Sequence, residues 1–149
     1  MSLVGFDLAF THRDPIQLTA SARVAVPHAE IFMLLKMVSW LDRPPDRAKD
    51  LQDIAHLLEN YLPDDDMRHW SDELVAANLD HDLHSPYALG RDLGTIIEDA
   101  HGACIDRFLR KPPLAALIAR GPRSWANDDD RAERVLETFE RGLRERRET

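Results

Sequence analysis

The stretch LLKMVSWLDRPPDRAKDLQDI, Leu34 to Ile54, decides the fold, because it holds the end of one apolar helix, a double-proline break and the start of a second helix. The first helix is predicted from about Pro27 to Leu41. It ends before Pro44 and Pro45, since a residue preceding proline is pushed out of helical geometry. Ile31, Leu34, Leu35, Val38 and Leu41 share one face at helical spacing, and Phe32, Met33, Met37 and Trp40 make the other sides apolar as well. A helix that is apolar nearly all round is a central, buried one. The second helix is predicted from about Arg47 to Leu62, with Asp46 as its N-cap, Leu51, Ile54, Leu58 and Tyr61 as its buried stripe and Pro63 as its stop. Within this apolar frame Lys36, Asp50 and Asp53 are out of place.

Outward from that stretch, residues 1–26 differ from the rest. Ile16 to Leu18 and Arg23 to Val26 are rich in β-formers, and one or two short strands are expected there. From Pro27 to the end the chain alternates helical patterns with Pro, Gly and Asp punctuation. A third helix is expected from about Asp65 to Ala77. Ser85 and Pro86 are read as the N-cap and first residue of a helix carrying Tyr87, Leu89, Leu93, Ile96 and Ile97. Helical segments follow at about Gly102 to Leu109, Pro113 to Ala119 and Asp128 to Arg146. The expected fold is mainly α: one compact multi-helix domain over residues 1–149, with short N-terminal β-strands and a helical region from residue 27.

A chain of 149 residues, 44% apolar and 31% charged, suits one ordinary globular domain. No apolar run approaches the roughly 20 residues that span a bilayer, so no membrane segment is expected. Asp7, Arg13 and Asp14 make the N-terminus unlike a signal peptide, and a single cysteine, Cys104, forms no internal disulfide. The expected location is the cytoplasm. The formal charge of -8 argues against the broad basic surface of a dedicated nucleic-acid binder, so direct DNA binding is not expected.

Two readings stand for each residue that carries chemistry. Lys36 is a lysine whose stem covers apolar neighbours while its head reaches water, or a cation aimed at phosphate. Asp50 falls in the arc of Ile54, Leu57 and Tyr61, and a carboxylate on an apolar face is costly unless paired, hydrogen-bonded or engaged by a ligand. Its plainer role is that of a first-turn acid favoured by the helix dipole, with Lys49 and Asp53 as a surface pair. His81, Asp82 and His84 are of metal-binding type, but a lone loop cluster reads as a polar turn, and no metal site is assigned. Cys104 reads as a packed thiol, and Trp40, Trp70 and Trp125 as packing anchors.

Taken together, Lys36, Arg43, Lys49-Asp50 and Asp53-Ile54 resemble a block of the abortive-infection (AbiEii-like) nucleotidyltransferase toxins: a K-L-x-A-x-x-x-R helix, here LLKMVSWLDR, and a next helix opening with a basic residue and two aspartates, here KDLQDIAHLLENYL. ALGRDLGTII, Ala88 to Ile97, and VGFDLAF followed by RVAVPHAEIFMLLK extend the likeness over Val4 to Ile97. The resemblance implies transfer of a nucleoside monophosphate from a nucleoside triphosphate with Mg2+, often onto RNA. It makes Lys36, Asp50 and Asp53 the catalytic candidates, and Lys36, Arg43 and Lys49 the substrate-binding ones.

The family also carries a Gly-Ser turn and an Asp-x-Asp strand pair ahead of this region, and the chain contains no Gly-Ser. Asp64 with Asp66, Asp80 with Asp82 and Asp128 with Asp130 match the letters, yet all lie beside helix starts or loops. The chain therefore resembles the C-terminal portion of the fold, with residues 1–26 as the remnant edge of a sheet, and is expected to be inactive alone. Mg2+ and nucleoside triphosphate then enter only with an N-terminal half, which is the expected partner. The alternative is a noncatalytic helical module of the same descent that binds a protein or forms a homodimer.

Overall fold

The structure, a computed structural model, describes residues 3–128 and 130–148. Met1 and Ser2 of the expected strand region and Asp129 of the expected last helix lie outside the described residues. In chain order the elements are α1 (Phe6–Thr11), β1 (Arg13–Gln17), β2 (Arg23–Pro27), α2 (Ala29–Asp42), α3 (Ala48–Asn60), α4 (Asp72–Ala77), α5 (His84–Ile96), α6 (Asp99–Arg110), α7 (Leu114–Arg120), α8 (Arg123–Ala126) and α9 (Arg131–Arg147). Single 3-10 turns at Pro44–Asp46, Met67–Trp70 and His81–Leu83 lead into α3, α4 and α5. The fold is mainly α with a small N-terminal sheet, as the sequence pattern predicts.

β1 and β2 pair antiparallel, with Ile16 opposite Val24 and Asp14 opposite Val26. All of β1, and β2 up to Val26, is exposed. An isolated two-stranded hairpin is marginal in water, and this one leans on its connections: the His28 amide donates to the His12 carbonyl at 3.1 Å. Helix α1 was not foreseen in a region read as strands. Gly5 starts it at φ 86, a conformation that favours glycine, and a Cβ there would lie 2.9 Å from Leu34 Cδ2. Leu8 then packs into the core.

Helix α2 is buried as its all-round apolarity demands: Ile31, Met33, Leu34 and Met37 have no exposed surface, and Phe32 alone of its large apolar side chains stands well out, at 39%. Helix α3 buries Leu51, Ile54 and Leu58. Its start differs from expectation, because Asp46 is drawn into the Pro44–Asp46 turn and Arg47 takes the cap position. Pro63 is followed by a split third segment: Asp66 caps the Met67–Trp70 turn and Ser71 caps α4. Ser85 is not an N-cap either. The His81–Leu83 turn runs directly into α5, which places Ser85 inside the helix, and its Oγ accepts from the Leu62 amide at 3.2 Å.

Helices α5 and α9 form the closest pairing. Gly90 and Gly142 let them touch backbone to backbone, since a Cβ on Gly90 would run into the Phe139 carbonyl and one on Gly142 into the Tyr87 carbonyl. A polar knot closes the far side of the core. Arg131, 8% exposed, holds Glu59 of α3 at 3.0 Å and also pairs with Asp82, and Glu59 accepts the Trp125 indole hydrogen bond. Gly90→Ala is expected to lower stability by about 2–3 kcal/mol, as overpacking outweighs the ~1 kcal/mol helix-propensity gain. Urea denaturation checks this; an unchanged or raised midpoint would contradict the close crossing.

Candidate nucleotide site between α2 and α3

Lys36 leaves α2 six residues before its last, Asp42, and Asp50 and Asp53 stand in the first turns of α3. The fold brings all three together. Lys36 Nζ lies 2.9 Å from Asp50 Oδ1 and 2.7 Å from Asp53 Oδ2. Side-chain exposure falls from 30% at Asp53 to 20% at Lys36 and 7% at Asp50, so the triad dips from the surface towards the core. Burial pulls the Lys36 ammonium below the ordinary lysine value of 10.5, but the hydrogen bonds with Asp53 and Asp50 outweigh it and hold the pKa above that value. Lys36 is therefore fully charged at neutral pH. Its ammonium also sits 5.0 Å from the Phe32 ring centre.

Neither plain reading of these residues holds alone. Lys36 does reach towards water past apolar neighbours, yet its charge is gripped on the way. Asp53 joins that grip instead of pairing with Lys49.

Lys36 and Asp50 of the triad border a cleft of about 240 Å³. Phe6, Phe32, Leu35 and Val38 make its apolar wall, and Lys36, Ser39, Asp42, Arg47 and Asp50 its polar one. Asp50 Oδ2 is buried without a hydrogen-bond partner, the one such side-chain atom among the described residues. An orphaned buried acceptor costs roughly 1–3 kcal/mol, more when charged. Lys49 lines a second depression, shared with Asp53, His56 and Arg120, and not the first. Arg43 is exposed and lines neither of these two depressions. Sequence reasoning missed Arg47, Phe6 and Ser39; for Arg47 the signal was its place three residues before Asp50, one turn away on the same face.

Among the described residues no group of three or more His, Cys, Asp and Glu side chains is placed to hold a metal ion. Asp50 and Asp53 converge on an ammonium, and the residues present do not fit Mg2+ by themselves. The Asp-x-Asp lookalikes are occupied by arginines: Asp66 by Arg68 at 2.9 Å, Asp128 by Arg134 at 2.7 Å, and Asp82 by Arg131. The histidine cluster gains a member that sequence spacing concealed. His69 lies with its Nδ1 3.1 Å from that of His84 and its ring stacked on His81, with centres 4.3 Å apart. His69 Nε2 faces the Pro63 carbonyl at 3.0 Å, so the cluster ties the Met67–Trp70 turn to the start of α5.

The triad predicts an asymmetry. Lys36→Ala strands two facing carboxylates, one of them nearly buried, and is expected to cost about 2–3 kcal/mol, below the full penalty of a buried pair because Asp53 is partly solvated. Asp50→Ala leaves the Lys36–Asp53 pair and removes the orphan oxygen, and is expected to cost about 1 kcal/mol or less. Chemical denaturation of both variants decides; an Asp50→Ala loss equal to or above that of Lys36→Ala would contradict this geometry.

The comparisons with known proteins agree with the motifs. A family model described as nucleotidyl transferase AbiEii toxin, Type IV TA system, matches residues 6–144, from α1 through most of α9. No curated protein and no solved structure matches the chain. The likeness that the motifs trace to Ile97 thus extends through the helices that close the core, and the chain belongs to the AbiEii nucleotidyltransferase toxin family.

Proposed function

We propose that this chain supplies the α2–α3 side of a nucleoside triphosphate site, with Lys36 directed at phosphate, Asp50 and Asp53 as the acids that position it, and Arg43 and Lys49 as outer substrate contacts. The observation that carries this reading is the triad itself: a charged lysine and two acids from neighbouring helices meet beside an open cleft, not beneath a closed apolar shell. Mg2+ enters this reading only with the N-terminal half, because Asp50 and Asp53 are both committed to Lys36. This chain's own residues do something narrower. The two carboxylates keep Lys36 protonated and aimed, and the ammonium is then available to an oxygen that develops negative charge.

One ammonium facing two carboxylates leaves the triad with excess negative charge, which repels an unaccompanied triphosphate. The chain is accordingly proposed to be inactive alone and completed by an N-terminal half bearing the Gly-Ser turn and Asp-x-Asp pair. The hairpin supports such a partner: Ile16 (45%), Val24 (40%) and Val26 (38%) are exposed apolar residues on strands whose outer edges have no neighbour among the described residues. The same surface supports the second reading, a noncatalytic interaction or dimerisation module. No helix among the described residues is long and apolar enough to cross a membrane. RNA is the proposed acceptor, and the cytoplasm the proposed location.

The test is nucleotide transfer from labelled nucleoside triphosphates to RNA with Mg2+, with and without a family N-terminal half supplied as a separate polypeptide. The chain alone is expected to transfer nothing. The completed pair is expected to transfer, with Lys36→Ala and Asp50→Ala each lowering the rate by about 100-fold or more. Robust transfer by the chain alone, or restored transfer indifferent to both substitutions, would overturn the proposal, and binding of the half without transfer would leave the interaction module.

A further inference from the structure

The second depression, between α3 and the end of α7, is lined by cations and hydrogen-bond donors. Lys49, Gln52, Asp53, His56 and Asn60 fall on one stripe of α3, three or four residues apart along the helix, and Arg120 faces that stripe from α7. From Lys49 to Asn60 the stripe is about 16 Å long at the α-helical rise, which makes the depression a groove. Lys49 and Arg120 are exposed and make no ion pair among the described residues, whereas Arg68, Arg131 and Arg134 are each held by an acid. The acid of the lining, Asp53, is already on Lys36 at 2.7 Å. Asn60 Nδ2 donates to the His56 carbonyl at 2.9 Å and faces His56 Nδ1 at 3.3 Å, so that ring nitrogen accepts and Nε2 carries the hydrogen. No Phe, Tyr or Trp among the described residues lines the groove, so bases have no such face to stack on.

We propose that the α3–α7 groove holds the phosphodiester backbone of the acceptor strand, with Lys49 and Arg120 on its phosphates, Gln52 and His56 donating to its oxygens, and the strand's end meeting the triad at Asp53. This deepens the nucleotide reading above and rests on it. Phosphate oxygens only accept, and a row of donors with two uncommitted cations is their complement. The two positive charges exceed the single excess negative charge of the triad, and the formal charge of -8 over the whole chain confines the attraction to the groove. Lys36 and Asp50 border the first cleft and Asp53 borders the groove, so the triad stands between a place for the donor nucleotide and a place for the acceptor. Asp53 is its most exposed member, with 30% of the side chain open. Contacts to a backbone carry no sequence information, so the groove takes a strand of any sequence.

Fluorescence anisotropy of short, labelled single-stranded RNA with the chain alone tests the groove without a transfer step. Oligouridine and oligoadenosine probes are expected to bind alike, with a dissociation constant of roughly 1–100 µM at low salt and a slope of about -1.4 in log affinity against log salt, as two phosphate contacts on a single strand give. Lys49→Ala and Arg120→Ala are each expected to weaken binding about fivefold and to halve that slope. Lys111→Ala, which removes an exposed charge outside the groove, is expected to change neither. All three side chains are exposed, and circular dichroism checks that each variant folds. No RNA binding, or equal losses in all three variants, would overturn the groove and leave the nucleotide reading to its own transfer assay. Displacement of the RNA by equimolar tripolyphosphate would overturn it as well, because that marks a site for free phosphates and not for a strand. RNA binding that depends on Lys49 and Arg120, together with no transfer by the completed pair, would overturn the nucleotide reading alone.

Discussion

An ammonium emerging from an otherwise apolar helix must be met by an acceptor, and the register of α2 against α3 is set by that requirement together with the packing beneath it. The acids stand in the first turns of α3, where the positive end of the helix favours them, and Leu51, Ile54 and Leu58 lie buried along the same helix. Lys36 thereby joins the two helices across the double-proline turn while Leu34 and Met37 go to the core. Sliding α3 by one residue would break the ion triad and expose the apolar stripe together. The cleft exists because the pairing is made at the edge of that interface.

The rest of the molecule divides in how tightly it is packed. At one end α5 and α9 meet through glycines, and the Arg131–Glu59 knot anchors α9 to α3. At the other the hairpin leaves Ile16, Val24 and Val26 partly exposed. The cleft lies on the hairpin side, since α1 contributes Phe6 to its wall. A closely packed helical base thus stands beside a partly exposed hairpin and a charge-unbalanced cleft. The chain that carries this arrangement belongs to a toxin family of nucleotidyltransferases.

Much of the helical order was legible because prolines mark it: Pro44 and Pro63 stop helices by simple sterics. Asp50 was legible for a different reason, as a carboxylate on an apolar arc. What escaped were features that only tertiary contact decides. Asp53 has both Lys49 and Lys36 in reach by different routes, and local spacing reports only the first. Phe6 belongs to a six-residue helix that is stabilised by Leu8 packing and by the Gly5 conformation, both of which only the tertiary fold supplies. Ser85 reads as a cap until the preceding turn supplies helical backbone ahead of it. His69 joins His81 and His84 across a whole helix of sequence.

The most direct measurement of the central claim is side-chain NMR of the 15N-labelled lysines, which are Lys36, Lys49 and Lys111. The ammonium held between Asp50 and Asp53 should give one slowly exchanging NH3+ signal at neutral pH that vanishes in Lys36→Met. Three lysines exchanging alike would show that no such clamp exists and that the cleft beside it is an ordinary surface hollow.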